Sequence, residues 1–140
     1  MKPNLKNQNT KAPLARPPAK ELTQRELQVM QLFWKQGEMT AAEARDALAQ
    51  GGHDLAYTTV ATLIKILVEK AFLQQTHAER PFRFVPVRSY EEVSGRMLGD
   101  VLERLFEGSR ERLLVRLLER KRLTAKERAF LQQLLKEQGR

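Results

Sequence analysis

The sequence predicts a mainly α chain with one short β-hairpin, and three observations carry that prediction. Four S/T-x-x-E boxes (Thr23 to Glu26, Thr40 to Glu43, Ser89 to Glu92, Thr124 to Glu127) each open an apolar-periodic segment. In such a box the hydroxyl takes a backbone N–H three residues on and the glutamate reaches back, which marks a helix start. The run Phe82, Arg83, Phe84, Val85 alternates like a strand and places both phenylalanines on one face. The stretch Leu113 to Glu119, LLVRLLE, is apolar on more of its circumference than one core-facing stripe needs.

The elements follow in order. Residues 1–20 contain four of the six prolines, five Lys/Arg and no acid, so residues 1–21 are read as a basic disordered tail. A first helix is expected over 24–36, with Leu27, Met30, Phe33 and Trp34 inward and a stop near Gly37. A second runs over 41–49, with Ala44 and Leu48 inward, and stops at Gly51 and Gly52. A third runs over 57–70. Phe72 to Thr76 supplies a partner strand for 82–85, with His77 to Pro81 as the turn. Three helices and a hairpin make the order of a winged helix-turn-helix, here over residues 22–88.

Residues 89–140 read as a separate helical domain, with helices near 90–107, 110–120 and 125–138. So short a segment makes a thin core alone. A twofold dimer, with these helices packed against their copies, solves the problem. The dimer-forming candidates are Val101, Leu105, Leu113, Leu114, Leu117, Leu118, Phe130 and Leu134. The alternative is a monomer in which these helices fold back on the N-terminal unit. The arginines between Arg110 and Arg122 read as a solvated face rather than a second nucleic-acid patch.

The third helix raises a question of its own. On a wheel of 100° per residue, Val60, Leu63, Ile64 and Leu67 form the core stripe. Thr58, Thr62 and Lys65 lie opposite and Thr59 at the boundary. Threonine is a poor helix former, so a face built only for solubility would use Glu, Lys or Gln. In a helix-turn-helix this helix enters the major groove, where a threonine offers a hydroxyl to phosphate or base and a methyl to thymine. Tyr57, Thr58, Thr59, Thr62 and Lys65 are therefore the DNA-facing candidates, joined by Arg45 on the second helix and by Arg80 and Arg83 in the hairpin. The plainer alternative is that Thr58 or Thr59 caps the helix and Thr62 is merely exposed.

Net charge is +8 overall, which points to a polyanionic partner. Residues 21–86, however, hold seven bases against eight acids, and residues 87–140 hold thirteen against nine. Phosphate neutralisation supplies most non-specific affinity, so the expected DNA binding is modest and falls with salt. The near-neutral unit also keeps open an alternative, a winged-helix protein–protein adaptor that reads no DNA.

Other chemistry is thin. The chain has no cysteine, which excludes disulfides, thiolate metal sites and cysteine nucleophiles and fits a cytoplasmic setting. No apolar run reaches the length of a membrane span, so no membrane insertion is expected. The two histidines, His53 and His77, read as solvated loop residues, and no phosphate loop, nucleophile elbow or zincin motif is present. No enzyme activity and no cofactor are expected.

The segments LTQRELQVMQLFWKQGEMTAAEARDAL, YTTVATLIKILVEKAFLQ and FRFVPVRSYEE resemble the penicillinase-repressor family of bacterial winged-helix regulators, over about residues 22–135. The most specific matches are Glu26, Val29, Met30 and Trp34, then Thr59, Val60, Thr62 and Leu63. The resemblance implies a cytoplasmic homodimeric repressor on a palindromic double-stranded DNA operator, inactivated by proteolysis after a membrane sensor detects an antibiotic. The family's cleavage pair, Asn followed by an aromatic residue, aligns with Asp100 and Val101 here. Leu55 stands where the family often has an aromatic residue, Ile66 where it often has a base, and Ala71 where it often has glycine. Copper-responsive relatives end in a cysteine-rich metal site, which this sequence lacks.

Overall fold

The computed structural model describes residues 22–139, so the basic segment 1–21 lies outside the described residues. The elements follow as α1 (Gln24–Gln36), β1 (Met39–Thr40), α2 (Ala41–Gln50), α3 (Tyr57–Glu69), β2 (Leu73–Gln75), β3 (Arg83–Pro86), α4 (Tyr90–Phe106), α5 (Arg110–Glu119) and α6 (Ala125–Gln138). The expected helices all form, within a residue or so at their ends.

Local chemistry explains the starts. The capping boxes at Thr23, Thr40 and Thr124 are complete in both directions. At α4 the Ser89 hydroxyl accepts the Glu92 N–H at 3.0 Å, while the Glu92 carboxylate accepts from Arg88 at 3.5 Å. α5 has a cap that the box pattern did not reveal: Ser109 Oγ accepts the Arg112 N–H at 3.1 Å. Gly37 ends α1 with φ of 84°, a left-handed backbone open to a residue without Cβ, and its N–H closes on Phe33 O at 2.7 Å.

The core of the N-terminal unit lies where α1, α2 and α3 meet. Val29, Met30, Phe33, Ala44, Val60 and Leu67 have no exposed surface. The apolar spacing of each helix brings these residues to one side. Val29 and the wholly buried Phe72 join a core that sequence periodicity had drawn without them.

The sheet differs from the expected hairpin in one respect. It has three strands in the order β1-β3-β2, both pairs antiparallel. β1 pairs Met39 with Phe84 and Thr40 with Arg83, while β2 pairs Leu73 with Pro86 and Gln75 with Phe84. A two-residue strand carries no periodicity, so only the fold reveals it. β3 starts at Arg83, leaving Phe82 just outside the ladder.

α3 ends in a Schellman motif. The Phe72 N–H reaches Leu67 O at 2.9 Å and the Ala71 N–H reaches Val68 O at 3.0 Å, with Ala71 at φ of 68°. An L-residue in this region carries a steric cost of roughly 1–2 kcal/mol that glycine avoids. A glycine at this position would avoid that cost. Ala71→Gly is expected to raise unfolding stability by about 1 kcal/mol, read as a higher denaturant midpoint at unchanged slope.

The chain separates into two compact units within α4, one through Met97 and one from Leu98. The expected boundary lay before α4. The first turns of α4 belong to the N-terminal unit because Val93 is buried with its core and Met97 packs against it. Trp34 anchors the approach to α4: its Nε1 donates to Arg88 O at 2.8 Å, and its ring meets Tyr90 edge-on at 5.4 Å. In the second unit, α5 and α6 bury no residue.

Candidate nucleic-acid interface

α3 presents the threonine face outward. Val60, Ile64 and Leu67 hold its back to the core, with at most 1% of each exposed, while Tyr57, Thr58, Thr59, Thr62 and Lys65 are exposed. Leu63, placed in the core stripe by the wheel, is half-buried. Neither threonine caps the helix. The N-cap is Ala56, without a side-chain hydrogen bond, so Thr58 and Thr59 sit inside the first turn. No side chain of Thr58, Thr59, Thr62 or Lys65 has a hydrogen bond or ion pair among the described residues. Their donors and acceptors face solvent unspent.

The three arginines proposed around this helix differ. Arg80 is exposed, with its guanidinium 5.0 Å from the centre of the Phe82 ring. Arg45 lies 3.2 Å from Asp46, and both are well exposed. Such a pair is weak and opens to a competing phosphate at small cost. Arg83 is held inside the wing: it lies 3.6 Å from both Glu38 and Glu43, and it approaches the Glu38 carbonyl at 3.5 Å. Its geometry ties β3 to the start of α2 and orients the wing.

Glu38 is the hub that sequence reasoning missed. Its carboxylate accepts from Thr76 Oγ1 and lies 3.6 Å from His77 Nδ1 as well as from Arg83. The Thr76 hydrogen bond lowers its carboxyl below the ordinary range, desolvation opposes this, and the charges of Arg83 and His77 lower it further. His77, read as a solvated loop residue, is thus half-exposed but part of the wing's base. Nothing in sequence spacing joins residues 38, 76 and 83; the pairing of β3 with both β1 and β2 does. Arg88 is a second omission. It is 7% exposed, donates to Ala71 O at 3.0 Å and stacks 5.1 Å over Phe72, bracing the end of α3.

The second unit offers a different kind of surface. Val101, Leu105, Leu114, Leu117, Leu118, Phe130 and Leu134 are all exposed, as are Leu98, Val115 and Leu135, which the sequence reading did not select. Leu113 is half-buried. Asp100 and Val101 are exposed within α4, and Asp100 lies 3.7 Å from Arg104 one turn on. Among the described residues no helix is long and apolar enough to cross a membrane.

Residues 22–137 match the penicillinase repressor family. The chain is 35% identical over 94 residues to the transcriptional regulator BlaI of Mycobacterium tuberculosis, covering 66% of this chain and 67% of that protein. Among solved structures it is similar in fold to the hsRosR-SG complex, at TM-score 0.51 and 10% identity over 88% of this chain and 96% of that one. The solution structure of the DNA-binding domain of the repressor BlaI also matches, at TM-score 0.48 and 20% identity, covering 56% of this chain and 93% of that one.

Proposed function

The chain belongs to the penicillinase repressor family, whose members are transcriptional regulators rather than enzymes, and on that premise we propose that it is a homodimeric DNA-binding repressor that reads a palindromic operator through α3. One observation supports this reading above the others: a helix clamped to the core on one side leaves Tyr57, Thr58, Thr59, Thr62 and Lys65 exposed and unpaired on the other. The threonines meet base edges and thymine methyls, and Tyr57 and Lys65 meet phosphates. Arg80 touches the flanking backbone from the wing. Arg45 exchanges Asp46 for a phosphate. Arg83 acts through the wing it orients rather than as a primary DNA contact.

Support for dimerisation comes from the second unit, where α5 and α6 bury nothing and a row of leucines lies open. A large exposed apolar surface of this kind marks an interface. A second copy of the same helices covers it with the least new chemistry. Each N-terminal unit then takes one half-site.

Release by a membrane-sensor protease has one supporting observation, the exposure of Asp100 and Val101. A protease acting there must first open α4.

The double variant Thr62→Ala with Lys65→Ala is expected to lose at least about tenfold in operator affinity, since each base or phosphate contact is worth roughly 1–3 kcal/mol. Titration against salt checks it: losing Lys65 also flattens the salt slope by about one ion per protomer. Wild-type affinity in the double variant would remove α3 from the interface. The rival adaptor reading draws on the excess of acids over bases in residues 21–86. It predicts no preference for the chain's own upstream DNA over a scrambled duplex at any salt.

A further inference from the structure

We propose that the groove between α2, α3 and the wing binds a small aromatic carboxylate, and that its occupant competes with DNA. The second half of the proposal rests on the DNA-reading role given to α3. The groove has a volume of about 780 Å³, in the range of small-molecule sites. Its walls are Ala61 and Ile64 of α3, Phe82 and Phe84 of the wing, and Ala42 at the rim. Ala42 and Ala61 leave it open, and a larger side chain at either position would narrow it. No aspartate or glutamate lines the groove, whereas Lys65 and Arg80 both do. Neither of these cations is ion-paired among the described residues.

An apolar trough with two unneutralised cations at its edge selects an amphipathic anion. A flat ring suits it better than a flexible chain, because two aromatic rings, Phe82 and Phe84, line the groove, and the Arg80 guanidinium, which lies 5.0 Å over the Phe82 ring, is itself a flat cation that stacks on aromatic faces. A carboxylate set between Lys65 and Arg80 completes the charge. Tyr57 and Lys65 line the same groove. A bound anion therefore neutralises the charge that a phosphate needs and crowds the start of the recognition helix. Ligand and DNA then weaken each other by the same factor.

The test uses 2-naphthoate as probe and 2-naphthalenemethanol as its neutral counterpart, titrated into the full chain and followed by amide chemical shifts. Saturable shifts at Ala42, Ala61 and Phe84, at least tenfold weaker for the alcohol, are expected. Ala42→Leu, at an exposed position outside the DNA-facing set, is expected to abolish the naphthoate response and keep DNA binding. Shifts confined to the leucines of α5, equal response to acid and alcohol, or an unaffected Ala42→Leu variant would each overturn the site. Naphthoate is further expected to raise the protein concentration needed to half-saturate upstream DNA. Binding of naphthoate at the groove without that effect overturns the competition. A chain that binds naphthoate as described but never binds DNA supports the site and removes the repressor reading instead.

Discussion

Leu117→Arg is expected to produce a monomer whose operator affinity falls about a hundredfold or more. Leu117 is 61% exposed in the single chain, and its neighbours Leu114 and Leu118 are exposed as well. Fully desolvating a leucine is worth roughly 1.5–3 kcal/mol, and a twofold axis applies each change twice. An arginine at the interface loses that gain and places an unpaired charge where two copies must meet. The loss in DNA binding is larger than any single contact, because linking two half-site readers raises affinity by roughly 10²–10⁴. Within one protomer the substitution is mild. α5 buries no residue of its own, and arginine is a good helix former. Circular dichroism should therefore match wild type while sedimentation gives the monomer mass. Leu114→Arg should repeat the result. An unchanged dimer in both would take α5 out of the interface.

Glu26→Ala is expected to cost about 3 kcal/mol of unfolding stability, the low end for breaking a buried ion pair. Glu26 is 4% exposed. Its Oε1 accepts the Thr23 N–H at 3.0 Å and lies 2.9 Å from Lys70 Nζ. Lys70 itself is one-quarter exposed, which softens the penalty. The alanine removes the cap at the start of α1 and leaves an ammonium without this carboxylate at the end of α3. The loss takes a large share of the 5–15 kcal/mol typical of a domain. Chemical denaturation of Glu26→Ala, Lys70→Met and the double variant forms a cycle. A double variant markedly more stable than the sum of the two singles identifies the pair as the cause. A loss below about 1 kcal/mol in Glu26→Ala would mean that the capping hydrogen bond alone matters.

The Glu26 case shows how far local pattern reaches. The sequence places Glu26 at the closing position of a capping box, three residues after Thr23, and the structure has that box. Its second role, toward a lysine 44 residues away, needs the packing of α1 against α3. The same division runs through the candidate site. The α3 face was legible because side chains 100° apart sort themselves onto faces whatever the helix packs against. Tyr57, Thr62 and Lys65 could be named from spacing alone, and their exposure follows from Val60, Ile64 and Leu67 turning inward.

The wing was legible only in outline. Its alternating run gave β3 away, but the charge of Arg83 looked free until Glu38 and Glu43 were seen beside it. A formal charge in a sequence carries no partner, since partners here are brought together by strand pairing across about 45 residues.

The sequence by itself therefore determined the helices, most of their starts, the buried faces of α1, α2 and α3 and the order that makes a winged helix. Those depend on contacts within four residues and on periodicity. Tertiary structure alone decided the third strand, the Glu38 hub, the brace of Arg88, the left-handed Ala71 and the groove beside α3. Each of these arises where segments distant in sequence meet, and the free energy of such a meeting is written in no single stretch of chain.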